Sequence, residues 1–164
     1  FRSHFGRPDL RQQRHGRRCS GFLGWHELAP GNGQERDFLI PAEEWARCRD
    51  WIAAALARTG FYEIEDIEAA LESGAMTFWP GEHGAAVTEF INYPNGKALN
   101  VFAGGGDSNA SLQEFIDKFE PSLCEWAKAT DCRWIIGYGR PGWERILKRR
   151  GYSTMWSVMK KDIA

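Results

Sequence analysis

Apolar positions first fall into a helical rhythm after residue 40. Trp45, Cys48, Ile52, Ala55 and Leu56 recur at helical spacing behind Pro41, Glu43 and Glu44, and Gly60 closes the run. A second helix is predicted over Ile64–Glu72, with Ile64, Ile67 and Leu71 on one face and Glu63, Glu65, Asp66, Glu68 and Glu72 read as a solvated face. Three β-rich runs follow, at residues 75–79, at Gly84–Tyr93 and at 97–103. They are punctuated by Pro80-Gly81, by the hairpin-type stretch Asn92 to Gly96, and by Gly104, Gly105, Gly106 and Asp107. Joined by such tight turns, they read as an antiparallel meander.

A long helical pattern comes next, carried by Leu112, Phe115, Ile116, Phe119, Leu123, Trp126 and Ala127. Pro121 lies inside it, so the helix either kinks or restarts there. A fourth strand is predicted over 133–138, a short helix over 142–150 ended by Gly151, and a last strand over 153–159. The strand–helix–strand unit of residues 97–138 is a crossover, which makes its two strands parallel. The fold class that results is α/β, with a mixed, mostly antiparallel central sheet and flanking helices.

The 164 residues fit one domain, and 43% hydrophobic content is ordinary for a globular chain. Charge sharpens the picture more than size does. The net charge is −1, yet residues 1–18 carry six Arg against Asp9 alone, leaving +5 there and −6 in the remainder. Residues 1–37 are therefore read as a basic, Gly/Arg-rich arm and residues 38–164 as the folded domain. Such an arm suits nucleic acid or an acidic partner. It equally suits an upstream-translated tail, since the first Met is Met76. Cys19, Cys48, Cys124 and Cys132 form no C-x-x-C pair and match no common zinc module, so reduced structural thiols and no metal are expected. No apolar run approaches the roughly 20 residues needed to cross a bilayer.

The order helix, helix, three antiparallel strands, helix, strand, helix, strand resembles the Gcn5-related N-acetyltransferase (GNAT) family over about residues 41–163. The run Ala86 to Pro94 (AVTEFINYP), the glycine-rich strand end, the helix near Trp126-Ala127-Lys128 and the turn Gly139 to Trp143 (GRPGW) are similar to a divergent group found in tailed phages. The resemblance implies an acyl-CoA site. In the family a Q/R-x-x-G-x-G/A turn holds the CoA pyrophosphate on backbone amides at a helix start. Gly104, Gly105 and Gly106 occupy that place here, without the preceding Gln or Arg and followed by Asp107. Aligned on Gly151-Tyr152, Leu147 stands where the family carries the tyrosine that protonates the departing thiolate, and Arg140 stands at the strand-end Asn.

Catalytic expectations follow from chemistry. Glu89 lies in an apolar strand on the face of Ala85, Val87 and Ile91, where a carboxylate can act as general base. Tyr138, at the end of the fourth strand, is the available proton donor, and Arg140 joins the three glycines as a cofactor contact. His83 reads as an ordinary exposed turn residue. Arg140, Arg145, Lys148, Arg149 and Arg150, interleaved with Trp143 and Tyr152, suit CoA phosphates, nucleic acid or plain solvation. Three functions are expected in turn. The first is a phage-encoded structural or accessory virion protein with degenerate catalytic motifs, partnered by other phage proteins in the virion or host cytoplasm. The second is an active enzyme moving an acyl group from acetyl-CoA to an amine. The third is a protein that meets nucleic acid through its N-terminal arginines.

Overall fold

The computed structural model describes residues 41–139, 141–155, 159–161 and 163. The basic arm and Cys19 lie outside the described residues, as does Arg140. Helix α1 spans Ala42–Leu56 and buries Cys48, Ile52 and Leu56; α2 spans Ile64–Glu72 and buries Ile64, Ile67 and Leu71. A capping box starts α2, in which Asp66 accepts from the Glu63 amide while the Glu63 side chain accepts in return. The acids of α2 are not simply solvated. Glu68 accepts from Trp45 Nε1 at 2.9 Å and from Arg49 Nε at 2.8 Å, which ties α2 to α1.

Among the described residues, four strands form one sheet in the order β1-β2-β3-β4: β1 is Met76–Pro80, β2 Gly84–Tyr93, β3 Gly96–Gly106 and β4 Cys132–Gly137. The first three make the expected antiparallel meander, and β4 lies parallel to β3, as the crossover requires. The expected strand end at Ala103 is corrected: β3 runs on through all three glycines, which pair with Ala86, Ala85 and Gly84. One β-bulge interrupts the β2–β3 ladder. Val87 faces Ala103 and Thr88 faces Val101, so Phe102 is the extra residue.

Helices α1 and α2 cover one sheet face. Met76, Phe78, Ala85, Val87, Phe102 and Ala103 pack there against the buried residues of both helices. The crossover covers the other face. It begins as α3 (Asn109–Glu114), passes through a π-helical turn at Phe115–Phe119 and continues as α4 (Glu120–Ala129) with Pro121 in its first turn. The helix runs on without a break, and the irregularity is the π-helical turn just ahead of Pro121 rather than a restart at the proline. Trp126 of α4 meets Trp79 and Phe90 edge-on or tilted, at centroid distances of 5.2 and 4.9 Å. Helix α5 spans Pro141–Lys148, and Gly151 follows at φ +90°, a left-handed geometry that favours glycine. The last predicted strand is not found at residues 153–155, which are irregular, while residues 156–158 lie outside the described residues.

Candidate functional site at the parting of β3 and β4

The two parallel strands stay together only briefly. β4 pairs with β3 from Cys132–Lys97 to Gly137–Val101, and there the ladder ends. β3 continues to Gly106, still paired on its far side with β2. Five residues of β3, 102–106, therefore turn one backbone edge away from any β4 partner. The bulge at Phe102 begins where β4 departs, and the added local twist of a bulge helps separate the two strands. The Tyr62 ring, from the α1–α2 connection, meets Phe102 edge-on at 4.9 Å.

Glu89 lies on β2 and Tyr138 just past the end of β4, the two strands either side of β3, near the level where the β3–β4 ladder ends. Glu89 is half-buried on β2, opposite Met76 on one side and Asn100 on the other. Its Oε1 accepts from Asn100 Nδ2 at 2.8 Å. Asn100 is 1% exposed, pairs with Ile136 on β4, and its Oδ1 is buried without a partner among the described residues. Tyr138 follows the last residue of β4 and is 64% exposed.

The glycines serve packing first. A Cβ at Gly105 would be driven into the Trp51 carbonyl oxygen of α1, and one at Gly106 into Ser111 Cβ and the His83 carbonyl oxygen, whereas Gly104 has only ordinary neighbours. Beyond them Asp107 donates its amide to the His83 carbonyl at 3.0 Å. Its carboxylate accepts from Ser108 Oγ at 2.8 Å and lies 3.5 Å from His83 Nδ1; these contacts, the Ser108 hydroxyl foremost, hold it below the usual aspartate range. Ser108 caps α3, its Oγ accepting from the Ala110 amide at 3.2 Å. The helix start is thus held by neutral groups, with an anion beside it.

A second carboxylate organises the neighbouring turn. Glu114 of α3, 6% exposed, accepts from the amides of Glu82, His83 and Gly84 at 2.9, 2.8 and 3.0 Å, and from Lys118 Nζ at 3.2 Å. Burial pushes its pKa up, but the amides of Glu82 and His83 with the Lys118 ammonium outweigh this and leave it lowered. His83, read as an ordinary turn residue, is therefore held through its backbone. Sequence reasoning missed Asn100, Phe102 and Glu114. A readable signal existed for Asn100 alone, a polar amide amid the apolar run Ala98, Leu99, Val101, Phe102.

At the far end, Arg150 donates to Glu120 Oε2 at 2.8 Å and to the Ile116 carbonyl at 3.1 Å. Cys124, beside Glu120, has its thiol pushed up to about 11, by burial first and by the Glu120 carboxylate second. Leu147 sits on α5, where its carbonyl accepts from the amides of Arg150 and Tyr152. Among the described residues no group of His, Cys, Asp and Glu is placed to hold a metal, and no helix is long and apolar enough to cross a membrane.

This architecture, a mostly antiparallel sheet whose last pair is parallel and partly separated, is the fold of the Gcn5-related N-acetyltransferases. A transcriptional regulator from Bacillus halodurans C-125 superposes with a TM-score of 0.59 at 13% identity, over 76% of this chain and 95% of that one. The aminoglycoside N-acetyltransferase AAC(6')-Iy in complex with CoA matches at 0.53 and 13% identity, over 74% and 87%. Glucosamine-6-phosphate N-acetyltransferase from Arabidopsis thaliana matches at 0.50 and 15%, over 68% and 88%. No protein-family profile matches the sequence, and no curated protein does.

Proposed function

We propose that this chain binds an acyl-CoA along the separated β3 edge and transfers the acyl group to an amine. The observation that carries the reading is the early end of the β3–β4 ladder at Val101 and Gly137, beside a half-buried carboxylate. An unpaired strand edge offers N–H and C=O groups to any extended molecule with amides of its own, and a pantetheine arm is such a molecule. A backbone N–H on that edge would polarise the thioester carbonyl. The amine nitrogen attacks that carbon, Glu89 takes the amine proton, the C–S bond breaks, and the Tyr138 hydroxyl returns a proton to the sulfur. Gly104, Gly105, Gly106 and Arg140 are the proposed contacts to the CoA phosphates. Asp107 places a negative charge next to them, so the pyrophosphate grip is weak.

The second reading is a virion-associated accessory protein of tailed-phage origin, in which the fold persists and the catalytic motifs have decayed. Leu147 favours it, because a leucine at the family's tyrosine position has no proton to give. Titration with acetyl-CoA separates the two. Saturable heat, with amide shifts concentrated at residues 102–106, is expected for the first. No heat at high micromolar ligand and no shift at those amides would sink it.

A further inference from the structure

Asn100 is an unexpected residue in its place. Strand interiors disfavour asparagine, and a fully buried one costs the fold unless each polar atom is satisfied. Nδ2 donates to Glu89 at 2.8 Å, whereas Oδ1 is buried with no partner among the described residues. An orphaned buried acceptor carries a desolvation cost that an apolar side chain of the same branching, such as leucine, would not. The bond to Glu89 is what the asparagine contributes in return. The type of donor matters. A lysine or arginine at position 100 would also hold the carboxylate, but its charge would suppress the basicity an amine-activating group needs. The neutral amide orients Glu89 without neutralising it, and occupies Oε1 so that Oε2 is the oxygen left to take a proton.

Placement agrees with this role. Asn100 lies on β3 between Glu89 on β2 and Ile136 on β4, one residue before the last β3–β4 pair. It thereby links the carboxylate to the strand that borders the parting. We infer that Asn100 is a positioning residue that fixes the Glu89 carboxylate at the mouth of the β3–β4 parting for proton transfer from an amine; this rests on the acyltransferase reading above.

Steady-state transfer from acetyl-CoA to spermidine, kanamycin and a peptide with a free N-terminal amine tests it, using the full chain. Asn100→Leu is expected to lower kcat about tenfold, the scale of a misplaced proton acceptor, with KM for acetyl-CoA unchanged. In a Glu89→Gln background the same substitution should cost nothing further, because a residue acting through Glu89 has nothing left to act on. If Asn100→Leu does not fold, Asn100→Ser, too short to reach Glu89, takes its place. Activity within about twofold of wild type, or losses that add across the double variant, would overturn the inference while leaving the acyltransferase reading intact. Absence of transfer by the wild-type protein to all three amines would overturn that underlying reading instead.

Discussion

Glu114 reaches from α3 to the turn between β1 and β2 and gathers three successive amides onto one carboxylate. The arrangement is that of an anion-binding nest filled by the protein's own side chain. Gly81 makes room for it, since a Cβ there would lie 2.7 Å from Glu114 Oε2 and 2.7 Å from Phe119 Cζ. A neutral glutamine at 114 would present its amide hydrogens to at least one of these donors. Glu114→Gln is therefore expected to destabilise the fold by about 2–3 kcal/mol, the worth of a charge-assisted hydrogen bond left unpaired, read as a lowered urea midpoint with unchanged m. Nothing in the helical pattern marks Glu114. Between Gln113 and Phe115 it looks like any surface acid, and its partners are backbone amides, which a sequence does not display.

At the scale of elements, β3 is longer than its composition suggests. Glycine is depleted in strands, so three in a row read as the end of one. The structure keeps them in the ladder because α1 and the start of α3 press against them. Gly105→Ala is expected to cost about 3 kcal/mol, since a backbone carbonyl in a packed helix cannot step aside. Gly104→Ala, exposed and free of close neighbours, should stay within about 0.5 kcal/mol. Thermal unfolding of the two variants side by side checks the contrast. Helix α2 and strand β2 were legible to the residue because their apolar periods are clean and their ends carry turn chemistry. Of the last predicted strand, residues 153–155 form no ladder, and residues 156–158 lie outside the described residues.

For the whole molecule, pH is the variable that gathers these local effects. Glu114 and Glu68 both have lowered pKa values, Glu114 through backbone amides and Lys118 against its burial, Glu68 through Arg49 first and Trp45 next. Their folded values lie below the unfolded value of about 4.3, so their stabilisation is fully present above that pH and is lost as pH falls below it. Cys124 works in the opposite sense. Its folded pKa of about 11 lies above the unfolded value, so its share is present below roughly pH 8.5 and lost as pH rises toward 11. Urea unfolding across pH should accordingly give a plateau between about 5 and 8 with a decline on both sides. Glu114→Gln should flatten the acid limb. The antiparallel meander, the parallel fourth strand and the flanking helices were legible from alternation, turn chemistry and connection length. The separation of β3 from β4 was not, because it depends on where a ladder stops, and that is set by a bulge and by packing across strands far apart in sequence.

The π-helical turn at Phe115–Phe119 stands between two anchored acids, Glu114 on the β1–β2 turn and Glu120 on Arg150. Its closing bond runs from the Glu120 amide to the Phe115 carbonyl, so the turn stores one residue more than an α-helix would use. Each α-helical residue rotates the chain by about 100°. Removing a residue here and restoring a plain α-helix would swing α4 by that angle against α3. Either Glu114 would leave its amides, or Leu123, Trp126 and Ala127 would leave the sheet. The surplus residue is thus a phase adjustment, which lets one continuous helix answer to two surfaces that do not share its pitch.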